Sequence, residues 1–105
     1  SRYPEVIERS LVYQNLKHYY LVRFAQTPGQ LKKFINGVLG ENDDICRFEY
    51  IKKTNKEYGN VLIGIQVENP ENIVKINYEL KRNNFDFIKL NKDNSESSLL
   101  YSYIV

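Results

Sequence analysis

Methionine and tryptophan are absent from this chain, and cysteine and histidine occur once each, as Cys46 and His18. One thiol forms no internal disulfide, and a single thiol with a single imidazole supplies no pair at metal-ligand spacing. A disulfide-stapled scaffold and a Cys/His zinc module are thereby excluded, and a reducing cytoplasm is the expected compartment. No apolar run approaches the roughly 20 residues that cross a bilayer, and the opening SRYPEVIERS lacks the apolar centre of a secretory signal. A soluble protein with no membrane partner is expected. Neither sign of charge dominates: 15 basic and 13 acidic side chains are interspersed, for a formal net charge of +2. Such a surface is ordinary and does not call for nucleic acid. Neither a G-x-G-x-x-G run nor a P-loop lysine is present.

What remains is 105 residues, 42% of them hydrophobic, with nine Tyr and five Phe. That is enough for one modest core and too little for two. From Pro4 to Leu16 the pattern predicts a helix, with Pro4 at a permitted first position and Val6, Ile7, Leu11 and Val12 gathered on one side. Tyr19 to Ala25 predicts a strand whose one face carries Tyr20, Val22 and Phe24. The segment TPGQLKKFINGVLG predicts a second helix. Thr27 is its expected N-cap, Gln30 completes a capping-box spacing and Pro28 takes the N1 position. Leu31, Phe34, Ile35, Val38 and Leu39 form its apolar stripe, and Gly40 is the expected left-handed stop.

Ile45 to Lys52 alternates again, with Cys46, Phe48 and Tyr50 expected inward and Arg47 and Glu49 outward. The polar stretch KKTNKEYGN reads as a hairpin connection to Val61–Val67, whose nearly continuous apolarity predicts a central strand. Asn69-Pro70-Glu71 opens a third helix that carries Ile73, Ile76 and Leu80 inward until Asn83-Asn84 stops it. Phe85 to Leu90 closes as a strand, and the tail LLYSYIV alternates as a further strand or docking segment. The order is a helix followed by β-α-β-β-α-β. The expected fold is therefore α+β, a ferredoxin-like sandwich of a four-stranded antiparallel sheet with two helices on one face. The second sheet face is left open, which implies a partner surface, either a copy of this chain or another domain.

Catalytic candidates fail for want of partners. His18 at a strand start, with no Ser or Cys nucleophile beside it, reads as a surface or boundary residue. Cys46 reads as a buried small hydrophobe, and Asp43-Asp44 as turn residues without the further oxygen ligands a cation needs. RNA-recognition domains share this element order, but they stack bases on aromatics of the third strand. Here that strand is GNVLIGI, with no aromatic.

Several marks in the chain resemble one known family. They are P-G-x-L at Pro28, Gly29 and Leu31, F-x-x-x-x-L-G from Phe34 to Leu39 and Gly40, and D-I-x-x-F-x-Y at Asp44, Ile45, Phe48 and Tyr50. The strand Y-G-x-V-L-x-G-I-x-V adds Tyr58, Gly59, Val61, Leu62, Gly64, Ile65 and Val67. From Leu16 to Val67 the chain is similar to the ACT-like regulatory domain at the C-terminus of threonine dehydratase. The resemblance implies residues 1–17 as a connector from a catalytic domain and 18–105 as the regulatory domain, with no catalysis in this fragment. It implies a parent that uses pyridoxal phosphate to convert L-threonine to 2-oxobutanoate and ammonia, on the route to isoleucine. It also implies L-isoleucine as inhibitor and L-valine as activator, pairing of regulatory domains within a tetramer, and contact with the catalytic domain of the same chain. A purely structural role in holding subunits together is the alternative.

An amino-acid effector needs partners for a carboxylate, an ammonium and a side chain. The carboxylate suits backbone N–H groups at the start of the second helix, around Pro28, Gly29 and Gln30. Leu31 and Ile35 would line an aliphatic pocket. Tyr50 either closes that pocket with its phenol or belongs to the core, and Phe48 stands between the same two roles. Gln30, where relatives commonly carry Ala or Ser, either completes the capping box or narrows the pocket.

Overall fold

The computed structural model describes residues 2–25, 27–52 and 58–91, and for 2–5, 8, 52, 58 and 59 the backbone alone. The elements run α1 (Arg2–Tyr13), β1 (Lys17–Ala25), α2 (Gln30–Gly37), β2 (Asp44–Lys52), β3 (Tyr58–Gln66), α3 (Asn72–Arg82) and β4 (Asp86–Lys89). The sheet is antiparallel in the order β2-β3-β1-β4, the ferredoxin-like arrangement that the pattern predicts. The β3 strand is central, as its apolarity requires: Val61, Leu62, Ile63 and Ile65 are all buried. The LLYSYIV tail and the tip of the β2–β3 connection lie outside the described residues.

The two helices α2 and α3 pack on one face. Phe34 and Val38 from α2 and Ile76 and Leu80 from α3 meet Tyr20, Val22, Phe24, Val61, Ile63 and Ile65 from the sheet. Phe24 lies 5.8 Å from Phe34, 5.5 Å from Phe85 and 6.0 Å from Phe48, ring centre to ring centre, so an aromatic cluster joins α2 to β1, to β2 and to the residue that leads into β4. Tyr20 is fully buried and donates its phenol proton to Asn77 Oδ1 at 2.5 Å, which ties the sheet to α3.

Asparagine, not glycine, ends two of the helices. Asn15 and Asn84 have φ of 60° and 61°. After α1, Leu16 N donates to Leu11 O and Asn15 N to Val12 O. After α3, Phe85 N donates to Leu80 O and Asn84 N to Lys81 O. Both are Schellman closures, and in each the chain turns directly into a strand.

Five expectations change. The α2 helix begins after Gly29, which takes φ 88° and is the N-cap, with no side-chain capping bond. A residue at positive φ cannot sit inside a helix, so Pro28 falls in the preceding turn and the Thr27–Gln30 capping box does not form. At the other end α2 stops at Gly37, and Gly40 instead makes a turn in which its N–H donates to Asp43 Oδ2 at 2.6 Å. Cys46 is exposed, because a bulge between Ile45 and Arg47 breaks the alternation. Ile45 takes the inward place opposite Ile65, and the Cys46 sulfur lies near Gly64 on the other face. His18 is buried, only 7% exposed, with its ring nitrogen Nε2 2.8 Å from Asn15 O. Finally, the second sheet face is not wholly open: Val12 of α1 and Leu21 pack against Tyr19, Leu62 and Leu90 there.

Candidate functional site

The ferredoxin-like topology places the end of β1 beside the start of α2, and the outer strand β2 alongside both. A recess of ≈ 320 Å³ opens at this junction, lined by Phe24, Ala25, Thr27, Gly29, Gln30, Leu31, Phe48 and Tyr50. Of the residues singled out from sequence, Gly29, Gln30, Leu31, Phe48 and Tyr50 therefore come together. Pro28, in the turn, and Ile35, one helical turn further along α2 and 43% exposed, are not among the lining residues. Phe24, Ala25 and Thr27 were not foreseen. Phe24 and Ala25 were legible as the last residues before the P-G turn, once the fold is taken to fold the strand end against the helix start.

The recess has a polar end and an apolar wall. At the polar end Lys33 N donates to Gly29 O, the first bond of α2, at 2.9 Å. The N–H groups of Gly29, Gln30, Leu31 and Lys32 thus have no acceptor within the helix, and the helix dipole adds positive potential there. With the capping box absent, the Gln30 side chain lines the recess. The wall is Phe24, Leu31, Phe48 and Tyr50. The Phe48 and Tyr50 rings meet edge to face, with centroids 6.2 Å apart at 90°. Tyr50 is 52% exposed and Phe48 36%, so both are rim residues and neither belongs to the sealed core. Such a site can hold a small anion-bearing molecule with an aliphatic group.

No group of three or more His, Cys, Asp or Glu suited to a metal ion occurs among the described residues. Nor do the residues of the recess suit pyridoxal phosphate, which takes a lysine as its Schiff-base partner: no lysine lines it. Among the described residues, no helix is long and apolar enough to cross a membrane.

Residues 8–100 match the family described as the C-terminal regulatory domain of threonine dehydratase. The chain is 46% identical over 100 residues to the biosynthetic L-threonine dehydratase IlvA of Halalkalibacterium halodurans, covering 95% of this chain and 24% of that protein. It is 42% identical over its whole length to the enzyme of the same name from Staphylococcus saprophyticus, again 24% of the relative, and 40% identical to that of Staphylococcus aureus. The chain thus spans about a quarter of the length of the curated relatives it matches.

Proposed function

The chain belongs to the family of threonine dehydratase C-terminal regulatory domains, and from that premise we propose that it senses branched-chain amino acids. L-isoleucine, as inhibitor, and L-valine, as opposing activator, bind in the recess at the start of α2. Their binding controls a catalytic part of the same polypeptide, in the cytoplasm, that uses pyridoxal phosphate to deaminate L-threonine to 2-oxobutanoate. Residues 1–17 connect the two parts and residues 18–105 form the sensor, within an oligomer whose regulatory domains pair.

One observation carries this reading: backbone donors at the α2 start and an apolar wall of Leu31, Phe48 and Tyr50 face one recess. The effector carboxylate takes the N–H groups of Gln30 and Leu31. Gly29, with no side chain, lets it approach the backbone. The branched side chain lies against Leu31 and Phe48, and the Tyr50 phenol bonds the polar end of the ligand. Control of the enzyme requires different affinities for the effector in two states of the assembly. The connector α1 has a route for this, since Val12 packs against Tyr19, Leu62 and Leu90 on the sheet face away from α2 and α3.

Isothermal titration of the chain with L-isoleucine and with L-valine tests the reading. Saturable binding is expected, weakened at least about tenfold in Tyr50→Ala, a loss of about 1.4 kcal/mol, with the circular dichroism of that variant unchanged. Absence of both heat and a thermal shift at millimolar ligand would sink it.

A further inference from the structure

An α-amino acid held in the recess as described above has its carboxylate on the N–H groups of Gln30 and Leu31 and its branched chain against Leu31 and Phe48. Its ammonium still needs an acceptor, because an ammonium drawn out of water without one is costly. Among the described residues no carboxylate lines the recess; its side-chain acceptors are the neutral oxygens of Thr27, Gln30 and Tyr50. Asp86 lines a neighbouring recess, which shares Ala25 and Gln30 with this one, and is paired there with Arg23 at 3.6 Å.

We propose that the side-chain carbonyl of Gln30 accepts the hydrogen bond of that ammonium, and so makes the recess a reader of α-amino acids in preference to the corresponding carboxylic and 2-oxo acids. The assignment rests on the effector reading and names the residue that sets the ligand class. The amide is available: α2 is capped at Gly29 with no side-chain bond, and no hydrogen bond engages the Gln30 side chain among the described residues. It is also near. The residue whose N–H takes the carboxylate carries this amide, and in an α-amino acid the ammonium is bonded to the carbon next to the carboxylate. Gln30 is half-buried, whereas Thr27 and Tyr50 are exposed, so water competes least for the Gln30 oxygen. The Tyr50 phenol, with a proton to donate from the facing strand, suits the carboxylate.

A hydrogen bond to a charged donor separates ligands that have the ammonium from those that lack it by about ten- to a hundredfold. A 2-oxo acid has a carbonyl where the ammonium was. It gives no proton and turns an oxygen toward Gln30 Oε1, which is left unpaired. The product of the parent enzyme, under the effector reading, is itself a 2-oxo acid, so the same contact keeps it out of the sensor.

Isothermal titration with L-isoleucine, with 3-methylpentanoate, which lacks the amino group, and with 3-methyl-2-oxopentanoate tests the assignment in the wild-type chain, Gln30→Ala and Gln30→Glu. The wild-type chain is expected to bind isoleucine at least about tenfold more tightly than either analogue. Gln30→Ala weakens isoleucine about tenfold and leaves 3-methylpentanoate unchanged, which abolishes the preference and shows that the variant is folded. Gln30→Glu keeps the preference, because its carboxylate pairs with the ammonium, and weakens both analogues by repelling their carboxylates. Equal wild-type affinity for isoleucine and 3-methylpentanoate overturns the assignment. So does a Gln30→Ala chain that weakens both ligands alike or retains the preference. Saturable isoleucine binding by the wild-type chain keeps the effector reading in either case, and its absence removes both.

Discussion

The Asn83 side-chain amide, just past the end of α3, donates to Gly37 O at 3.1 Å and to Glu79 O at 2.8 Å. One side chain thus closes its own helix and fastens the last residue of α2 to it. The contact has no slack, because a Cβ built on Gly37 would lie 2.7 Å from Asn83 Oδ1 and 3.0 Å from Nδ2.

Gly37→Ala is therefore expected to destabilise the fold by about 1–2 kcal/mol. The gain in helix propensity, up to about 1 kcal/mol, is outweighed by the displaced amide and its two hydrogen bonds. Urea denaturation measures it. The double variant with Asn83→Ala is expected to lose less than the sum of the two single losses, since the clash needs both partners.

At Gly29 the balance is of a different kind. A Cβ there meets nothing within 4 Å, so Gly29→Ala carries only the strain of φ 88°, about 1 kcal/mol. Gly29→Asn is expected to cost less, because asparagine tolerates this region. Comparing the two unfolding midpoints with wild type checks the order. A Gly29→Ala loss much above 2 kcal/mol would mean that packing and not backbone conformation governs the α2 entrance.

His18 is held below the ordinary imidazole range by burial, with Lys89 repelling the charged form and the bond to Asn15 O opposing both. A depressed pKa means that the folded state resists protonation. The stability contributed by the neutral ring is whole above about pH 6.5 and is lost as the pH falls through the folded-state value. A proton NMR titration is expected to place the His18 midpoint below about 6.5. The fall in unfolding midpoint between about pH 7 and pH 5 is expected to be shallower in His18→Gln. A midpoint at or above the free value would refute the buried neutral ring.

Tyr20 responds at the other end of the scale. Burial pushes its phenol well above the ordinary tyrosine range. The stability that comes from keeping the proton is complete below about pH 10 and falls as the pH rises beyond the unfolded value. Tyr20→Phe is expected to lose about 1 kcal/mol near neutral pH, through the missing bond to Asn77 Oδ1. The same variant is expected to show a flatter decline above about pH 10. Guanidinium unfolding of both chains across that range decides it.

Local pattern was enough to determine much of this protein. Short-range periodicity located four strands and three helices in order, because burial of one face imposes its period on the residues that supply it. The nearly continuous apolarity of Val61–Val67 marked the central strand, and Asn83-Asn84 marked the end of α3. The turn-and-helix start at Gly29, Gln30 and Leu31 and the strand positions Phe48 and Tyr50 were picked out from separate segments, and the fold gathers them into one recess.

The tertiary structure alone decided what depends on contacts between distant segments. Alternation put Cys46 inside, but pairing with β3 inserts a bulge at that point, and Ile45 takes the inward place because it meets Ile65. A capping-box spacing proposed Thr27 as the start of α2, yet the turn out of β1 needs a left-handed residue, and Gly29 is the one that supplies it. His18 is buried by the closing of α1 onto β1 through Asn15, a geometry that no single segment encodes. Periodicity reports which face of a segment avoids water. Which other segment covers that face, and where the ladder must slip to let it, follows only when the chain is folded on itself.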